Sequence, residues 1–134
     1  MRKQSIVLTD SDSSRLQSLV EFAKRAFTRD RHHVESLEEK LSCAEIVRAH
    51  EISPNVVRMN SRVRIRDLDA GRHMDYTLVF PQDADIADNR ISVLAPLGTA
   101  ILGSGIGEEI RWEVPGGVRR VKVEDVHDRP RKAA

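Results

Sequence analysis

The spacing of apolar residues changes at Ser53-Pro54-Asn55, and this change constrains the fold more than any other feature of the sequence. Before it, apolar residues recur every three or four positions, as on one face of a helix. After it, apolar and polar residues alternate, as in a strand with one buried face. The residue before a proline is disfavoured in the helical region, so the helical part ends here. The sequence therefore predicts an α+β protein, with a helical region over residues 1–53 and a sheet domain over residues 54–127.

Two amphipathic helices are predicted in the first region. Residues 9–12, with the sequence TDSD, supply side-chain oxygens for the free N–H groups at a helix start. The first apolar stripe comprises Leu16, Leu19, Val20, Ala23, Ala26 and Phe27, and the second comprises Val34, Leu37, Leu41 and Ala44, widened by Ile46 and Val47. Because residues 28–33 between them are all polar, we expect these to be the turn of a short antiparallel helical hairpin, or short coiled coil. The tip of this hairpin is predicted to comprise Asp30, Arg31, His32 and His33.

The second region is predicted to be an antiparallel β-sheet with one short helix. Its opening strand has one apolar and one basic face, because four arginines alternate with Val57, Met59, Val63 and Ile65. A turn at residues 67–71 follows, and further strands are expected at residues 76–80, 91–94, 109–114 and 118–123, with a Pro-Gly-Gly turn between the last two. Residues 96–102 are predicted to form the short helix, because proline suits a first turn and Gly103 can end it. The charged residues 128–134 have no apolar pattern and are expected to be a loose tail.

The charge balance narrows the classes of partner. The chain has 22 Lys and Arg residues against 21 Asp and Glu residues, a formal net charge of +1. Nucleic-acid binders usually carry a basic excess that neutralises phosphates, so direct nucleic-acid binding is not expected. No apolar run approaches the ~20 residues that cross a bilayer, and the start of the chain has no signal-peptide pattern. We therefore expect a cytoplasmic protein that does not bind membranes.

No pattern in the sequence predicts a metal, a cofactor or a catalytic residue. Cys43 is the only cysteine, which excludes a disulfide framework, and His32 and His33 have no cysteine partners for zinc. The three aspartates of residues 83–88 lack the glycine and the terminal glutamate of a calcium loop. The glycine-rich residues 103–107 lack a lysine and precede two glutamates that would repel phosphate. We expect Cys43 to pack in a helix and the other features to be surface loops.

A series of short motifs in the second region resembles the C-terminal half of the GreA/GreB transcript cleavage factors. The series runs ISVLAPLGTAILG at residues 91–103, GIGE at 105–108 and VPGG at 114–117, in the order strand, short helix, strand and turn. The DADI sequence at residues 83–86 is similar to the acidic loop that precedes these motifs in the family. The VRMNSRV sequence at residues 57–63, with Ala-Pro in place of Ser-Pro, is closer to the branch called regulators of nucleoside diphosphate kinase.

This resemblance covers about residues 54–126 and implies an FKBP-like fold that docks near the secondary channel of RNA polymerase. In the family, the junction between a strand and the short helix faces the polymerase. Ser92, Leu94 and Pro96 stand at the matching positions and are the candidate partner-binding residues. Since Leu94 follows Ser92 with a period of two, both are expected near the surface if the residues alternating with them face the core.

The resemblance does not extend to transcript cleavage. In the cleavage factors a long hairpin carries acidic tip residues that help to hold magnesium in the polymerase active site. Here Asp30 lies among arginines and histidines, which have the wrong sign of charge to hold a second metal ion. Helices of about 17 residues reach roughly 26 Å, well short of such a hairpin. We therefore expect a non-catalytic regulator that binds RNA polymerase and competes with the cleavage factors without stimulating cleavage.

Two other functions are left open by the sequence. An FKBP-like fold suggests a peptidyl-prolyl isomerase, although fold alone does not define function. Isomerase pockets of this type are lined with aromatic rings, and Tyr76, Phe80 and Trp112 are few for that purpose. The helical pair could instead be a self-association module, because so short a hairpin buries little apolar surface alone. The oligomeric state is not predicted.

Overall fold

The computed structural model describes residues 6–26, 31–114 and 116–128 of the 134-residue chain. In these residues the helices are α1 (Asp10–Ala26), α2 (Arg31–Ser42) and α3 (Pro96–Ile101). The strands are β1 (Val7–Thr9), β2 (Glu45–Val47), β3 (Ser61–Asp67), β4 (Arg72–Val79), β5 (Arg90–Ser92), β6 (Glu109–Val114) and β7 (Gly117–Asp128). Short 3-10 helices lie at Ala49–Glu51, Pro81–Asp83 and Ile86–Asp88. The α+β class is therefore confirmed.

The helix α1 begins where its capping residues predict. The hydroxyl of Thr9 accepts the N–H of Asp12 at 3.1 Å, and two aspartates lie in the first turn. Lys24 of α1 pairs with Glu38 of α2 at 3.0 Å. The predicted apolar stripes are confirmed in part: α1 and α2 pack together and bury Leu16, Val20, Ala23, Val34, Leu37 and Leu41. Ala26 is exposed at the end of α1, and Ala44 lies beyond the end of α2. None of the helices in the described part of the chain is long and apolar enough to span a membrane.

The end of the second helix differs from the prediction. The helix α2 ends at Ser42, and β2 (Glu45–Val47) pairs in parallel with β1. Ile46 and Val47 therefore do not widen a helical stripe, and Ile46 is 46% exposed. The physical reason is that their β-branched side chains suit an extended strand better than a helix. The early end of α2 also leaves Cys43 exposed, where packing in the helix was expected.

The predicted turn between the two helices is described only in part. The helix α2 begins at Arg31, so Arg31, His32 and His33 belong to its first turn and not to the connecting turn. Asp30 and Phe27 lie outside the described residues. The packing of the two helices is observed, whereas the antiparallel turn between them stays a prediction.

The main sheet has five strands in the order β5-β4-β3-β7-β6. The strand β3 alternates between buried and exposed residues, with Arg62, Arg64 and Arg66 exposed, which confirms the predicted apolar and basic faces. The predicted opening residues Val57 and Met59 are buried but precede the strand. The sheet is antiparallel except that β5 runs parallel to β4, where an antiparallel sheet was predicted. Residues 80–89 form a crossover that returns the chain along β4, and this sets the parallel direction.

The predicted turn after β3 is confirmed, and one carboxylate organises it. Asp67 is 3% exposed and accepts the N–H groups of Asp69 at 2.9 Å and Ala70 at 3.0 Å. The guanidinium of Arg119 on β7 pairs with the same carboxylate. The hydrogen bond from Ala70 lowers the pKa of Asp67, opposed by burial and assisted by Arg119. Gly71 then takes a φ of +73°, a conformation that glycine adopts without steric cost.

One hydrophobic core runs through the sheet and the base of the helical pair. Its members from the sheet and α3 include Val63, Ile65, Leu78, Ile101, Val121 and Val123, and those from the helical region include Ile6, Leu8, Leu16, Leu37 and Leu41. Apolar side chains from both sides of residue 53 thus share one core. The division of the chain at residue 53 stays a sequence prediction. Asp128 is the last residue of β7, and the rest of the predicted tail lies outside the described residues.

Candidate partner-binding site

The candidate partner-binding residues follow one another where β5 leads into α3. Ile91 and Val93 are buried, Ser92 and Leu94 are half-buried, and Pro96 is exposed. The predicted alternation is therefore confirmed, and Leu94 lies near the surface. Leu94 also packs partly against the core, so a partner has access to only part of its side chain.

Hydrogen bonds within this junction fix its shape. The hydroxyl of Ser92 accepts the N–H of Leu94 at 3.0 Å, and the carbonyl of Ser92 accepts the N–H of Ala95 at 3.0 Å. The hydroxyl of Thr99 donates to the carbonyl of Val93 at 2.6 Å. Ser92 therefore orients the backbone of Leu94, and these internal hydrogen bonds give the junction a defined shape.

Gly98 lets α3 lie directly on β5. A Cβ atom at Gly98 would lie 2.1 Å from the carbonyl oxygen of Ser92 and 3.1 Å from the Cα of Val93. Both are backbone atoms, which cannot move aside as the end of a flexible side chain can. The junction thus has one arrangement of strand and helix. The sequence signal for this role is a glycine inside a short helix, where glycine is otherwise unfavourable.

The acidic loop before β5 has internal partners for two of its carboxylates. Asp85 accepts the N–H of Ala87 at 3.1 Å, and the guanidinium of Arg90 lies 3.5 Å from Asp88 and 4.0 Å from Asp85. Ile86 between them is 75% exposed. Within the described ranges, no group of three His, Cys, Asp or Glu side chains is placed to hold a metal ion. The loop therefore has the character of a surface connection.

The described residues of the predicted hairpin tip and the contact with α3 lie at different parts of α2. Arg31, His32 and His33 form the start of α2, whereas the contact between α2 and α3 is made by Lys40. Nine residues of helix separate Arg31 from Lys40, a distance of about 13 Å along the axis. Arg31, His32 and His33 therefore lie about 13 Å along α2 from its bond to α3, and Asp30 lies outside the described residues.

Lys40 is a half-buried polar connection between α2 and α3 that the sequence did not predict. Its ammonium donates to the carbonyl of Thr99 at 2.6 Å and to that of Ala100 at 2.7 Å. Burial lowers the pKa of Lys40 to about 8, and Glu108 acts in the opposite direction. In the sequence, Lys40 stands three residues after the buried Leu37, on the edge of the apolar stripe, which is a weak signal for a half-buried position.

A cleft of about 620 Å³ lies beside Lys40, between α2, the end of α3 and β6. Its charged wall residues are Glu39, Lys40, Glu109 and Arg111, so positive and negative groups are balanced. Among the side chains that the structure describes, none that lines the cleft is aromatic. These lining residues therefore offer neither a basic pocket for phosphate nor a stacking surface for bases.

The helix α1 has its own contacts with the sheet region. The carboxylate of Asp12 accepts the N–H of Met59 at 3.1 Å. The guanidinium of Arg15 lies over the ring of Phe80, 4.4 Å from its centroid. Both contacts are near the start of α1, so the base of the helical pair is attached to the sheet region through α1 and through α2.

Comparison with known proteins agrees with the motif series. The family model described as "Transcription elongation factor, GreA/GreB, C-term" matches residues 51–128, which is more than half of the chain. Among solved structures, the prokaryotic transcription elongation factor GreA/GreB from Nitrosomonas europaea is 40% identical with a TM-score of 0.75. That match covers 94% of this chain and all of the other.

Two curated relatives show how far the similarity extends. The regulator of nucleoside diphosphate kinase of Escherichia coli (strain K12) is 36% identical over 118 residues, which cover 88% of this chain and 85% of that protein. The transcription elongation factor GreA of Syntrophus aciditrophicus (strain SB) is 31% identical over 97 residues, which cover 72% of this chain and 60% of that factor. The similarity to the first protein therefore includes much of the helical region as well as the sheet.

Proposed function

Because this chain belongs to the GreA/GreB family, in the branch of the regulators of nucleoside diphosphate kinase, we propose that it binds RNA polymerase near the secondary channel. It is a regulator related to transcription elongation factors, and its relatives are regulators and elongation factors rather than catalysts. The observation that carries the proposal is the rigid junction between β5 and α3, where Ser92, Leu94 and Pro96 reach the surface at the positions that face the polymerase in the family.

The junction has the properties of a small docking face. Leu94 supplies apolar area that is partly supported by the core, and Pro96 beside it is exposed and conformationally fixed. An anchor that is already held in its bound conformation loses little entropy on binding. We propose that Leu94 is the apolar anchor of this face, with Pro96 as its neighbour and Ser92 as the residue that orients both.

We also propose that binding occurs without stimulation of transcript cleavage. The helix α1 has 17 residues, a length of about 26 Å. Its partner α2 has 12 residues and begins with Arg31, His32 and His33, none of which has the carboxylate oxygens that Mg²⁺ prefers. A chain that occupies the docking position without delivering carboxylates would compete with cleavage factors and lower their effect.

The test is a binding assay between the purified protein and core RNA polymerase, with and without excess of a GreB cleavage factor. We expect association at micromolar concentration, displacement by the cleavage factor, and no acceleration of cleavage when the protein alone is added to a backtracked elongation complex. The absence of binding at micromolar concentration would disprove the proposal. Cleavage comparable to that of a Gre factor would disprove its non-catalytic part.

The two alternative functions have less support among the described residues. Phe80 is buried under Arg15, the hydroxyl of Tyr76 lies 3.8 Å from the sulfur of Met74, and neither ring lines the cleft. This arrangement does not favour a prolyl-isomerase pocket, and the FKBP-like description of the sheet domain stays a prediction. Self-association through the helical pair is tested by sedimentation at several concentrations.

A further inference from the structure

The end of α3 has two carbonyl groups whose usual helical donors bond elsewhere. In a continuing helix the carbonyls of Thr99 and Ala100 would accept the N–H groups of Gly103 and Ser104. Here the N–H of Gly103 donates to the carbonyl of Val57 at 3.0 Å, and that of Ser104 donates to the carbonyl of Ile101 at 3.1 Å. The ammonium of Lys40 takes the place of both donors. The helix α3 thus receives its C-terminal cap from α2, about 60 residues away in the chain.

Placing an ammonium group at this position has a desolvation cost. Lys40 is half-buried, and burial disfavours its charged form. The charged side chains nearby are Glu39, Glu109 and Arg111 of the cleft, together with Glu108, whose negative charge favours the ammonium. A methionine of similar length would fill the same space without this cost. An apolar residue could not form the directed hydrogen bonds of Lys40. These bonds therefore fix the orientation of α2 relative to α3.

Besides the shared core, two further attachments between the helical pair and the sheet region lie near the start of α1. Asp12 and Arg15 contact Met59 and Phe80 there. Apolar contacts in the shared core have no preferred direction, so a directed hydrogen bond some distance from the start of α1 adds a separate constraint on the angle of the pair. Lys40 lies on the other helix and is bonded to the helix that begins at the docking junction.

We propose that Lys40 is a positioning residue that fixes the angle between the helical pair and α3, and so couples the docking junction at one end of α3 to the direction of the helices. The first half of this inference depends only on the fold. The second half rests on the proposed function, because it assumes that the junction binds RNA polymerase.

The angle is measured by spin-label distances in the full chain. One label is introduced by Gln17→Cys on α1 and the other by Lys122→Cys on β7, both at exposed positions, in a Cys43→Ser background. We expect a single narrow distance distribution with Lys40 and a broad or shifted one with Lys40→Met. The variant Lys40→Arg, which keeps a charged donor, should restore much of the narrow distribution.

The matched control is Lys24 of α1, which forms an ion pair with Glu38 of α2. Lys24→Met removes the 3.0 Å bond to Glu38 within the pair and should leave the distance to the sheet unchanged. Circular dichroism confirms folding, and Lys40→Gln replaces Lys40→Met if the methionine variant does not fold. An unchanged distribution in the folded Lys40 variant, or equal broadening in the Lys24 control, would overturn the inference.

The coupling to function is tested on RNA polymerase with the same variants. If the competent angle is one fifth populated in Lys40→Met, the apparent affinity falls about fivefold. Lys40→Arg should recover most of it, and Lys24→Met should bind as the parent protein does. Equal affinity of the parent and Lys40→Met, despite a broadened distribution, would overturn the coupling. A parent protein that does not bind at all contradicts the proposed function, and the spin-label result then stands independently.

Discussion

The sheet and the helical pair are held in place by different kinds of interaction. Strands β3, β4 and β7 are joined by long ladders of backbone hydrogen bonds, with one irregularity between Arg64 and Ile65, and one face of β3 is buried. The helical pair also shares the core, but its polar attachments to the sheet region and α3 include contacts of single side chains, namely those of Asp12, Arg15 and Lys40. Backbone ladders distribute their stability over many residues, whereas three side-chain contacts do not.

This difference predicts two classes of mutational effect. Changes at buried positions of the sheet, or where α3 lies on it, should strongly destabilise the protein, because a close-packed interior has no room to relax. Changes in the attachments of the helical pair should alter its direction or cost little stability. Changes to the packing of the junction between β5 and α3 should destabilise the protein. Changes to its exposed side chains should instead affect the proposed binding.

The largest effect is expected from Gly98→Ala. The added methyl group would lie 2.1 Å from the carbonyl oxygen of Ser92, so α3 must move away from β5. We expect a loss of about 3 kcal/mol or more in the free energy of unfolding, measured by chemical denaturation.

The control for this prediction is another glycine in the same region. A Cβ atom at Gly105 would approach the carboxylate of Glu108 at 3.7 Å, which is ordinary contact. Gly105→Ala should therefore change stability much less than Gly98→Ala does. Similar losses in the two variants would show that the close approach of α3 to β5 does not determine the stability of the junction.

The next effect is on binding rather than on stability. Leu94→Asp places a charge at the half-exposed anchor, and we expect polymerase affinity to fall by about 2 kcal/mol, roughly thirtyfold. The melting temperature should change little, because Leu94 is only partly buried. Val118→Asp, at an apolar position of β7 that is 53% exposed, is the matched control and should bind normally. A sharply lowered melting temperature for Leu94→Asp would place this leucine in the core, and normal binding would place the docking face elsewhere.

The difference between local patterns and contacts between distant parts of the chain explains which features the sequence could predict. The alternation along β3 and the stripes of α1 and α2 follow from burial on one face, which is a local pattern that the sequence contains. The order Ser92, Val93, Leu94 indicated which side chains reach the surface for the same reason. The motif series around α3 indicated the family, because Pro96 suits the start of α3, Gly98 is needed against β5, and Gly103 takes a positive φ where the helix has ended.

The features that were missed depend on parts of the chain that are far apart in sequence. Strands β1 and β2 have three residues each, too few to show a period, and Ile46 and Val47 happen to continue the helical spacing. The parallel direction of β5 depends on the path of residues 80–89, which no local pattern encodes. A lysine beside an apolar stripe is normally exposed. The acceptors of Lys40 are carbonyls whose own donors are occupied elsewhere, and only the structure brings these groups together.

A smaller effect is expected from the titration of Lys40. Burial lowers its pKa from 10.5 to about 8, so the unfolded chain binds more protons than the folded protein between these values. Stability must therefore rise with pH across this window. We expect the free energy of unfolding to increase by on the order of 1 kcal/mol from about pH 8 to about pH 10. The measurement is urea denaturation at several pH values in the Cys43→Ser background, which removes the thiol that lines the same cleft.

Two substitutions decide whether Lys40 causes this rise. Lys40→Met should abolish it, because no group at that position then titrates. Lys24→Met should preserve it, because Lys24 lies at the surface of the helical pair with 37% of its side chain exposed. A flat pH profile in the parent protein would contradict the lowered pKa, and an equal rise in both variants would assign it to another group.

The smallest effect is expected at the attachment of α1. The guanidinium of Arg15 lies 4.4 Å from the centroid of the Phe80 ring while remaining exposed to water, so the attraction is weakened by solvent. We expect Arg15→Gln to lower the free energy of unfolding by about 0.5–1 kcal/mol and Arg15→Lys to lower it less. Arg25→Gln, at an exposed position of the same helix, should have almost no effect. A double-mutant cycle with Phe80→Leu isolates the contact, because the loss caused by Arg15→Gln should shrink when the ring is absent. If the loss is the same with and without the ring, Arg15 does not attach α1 through Phe80, and the bond from Met59 to Asp12 is the polar attachment that holds this end of the helical pair.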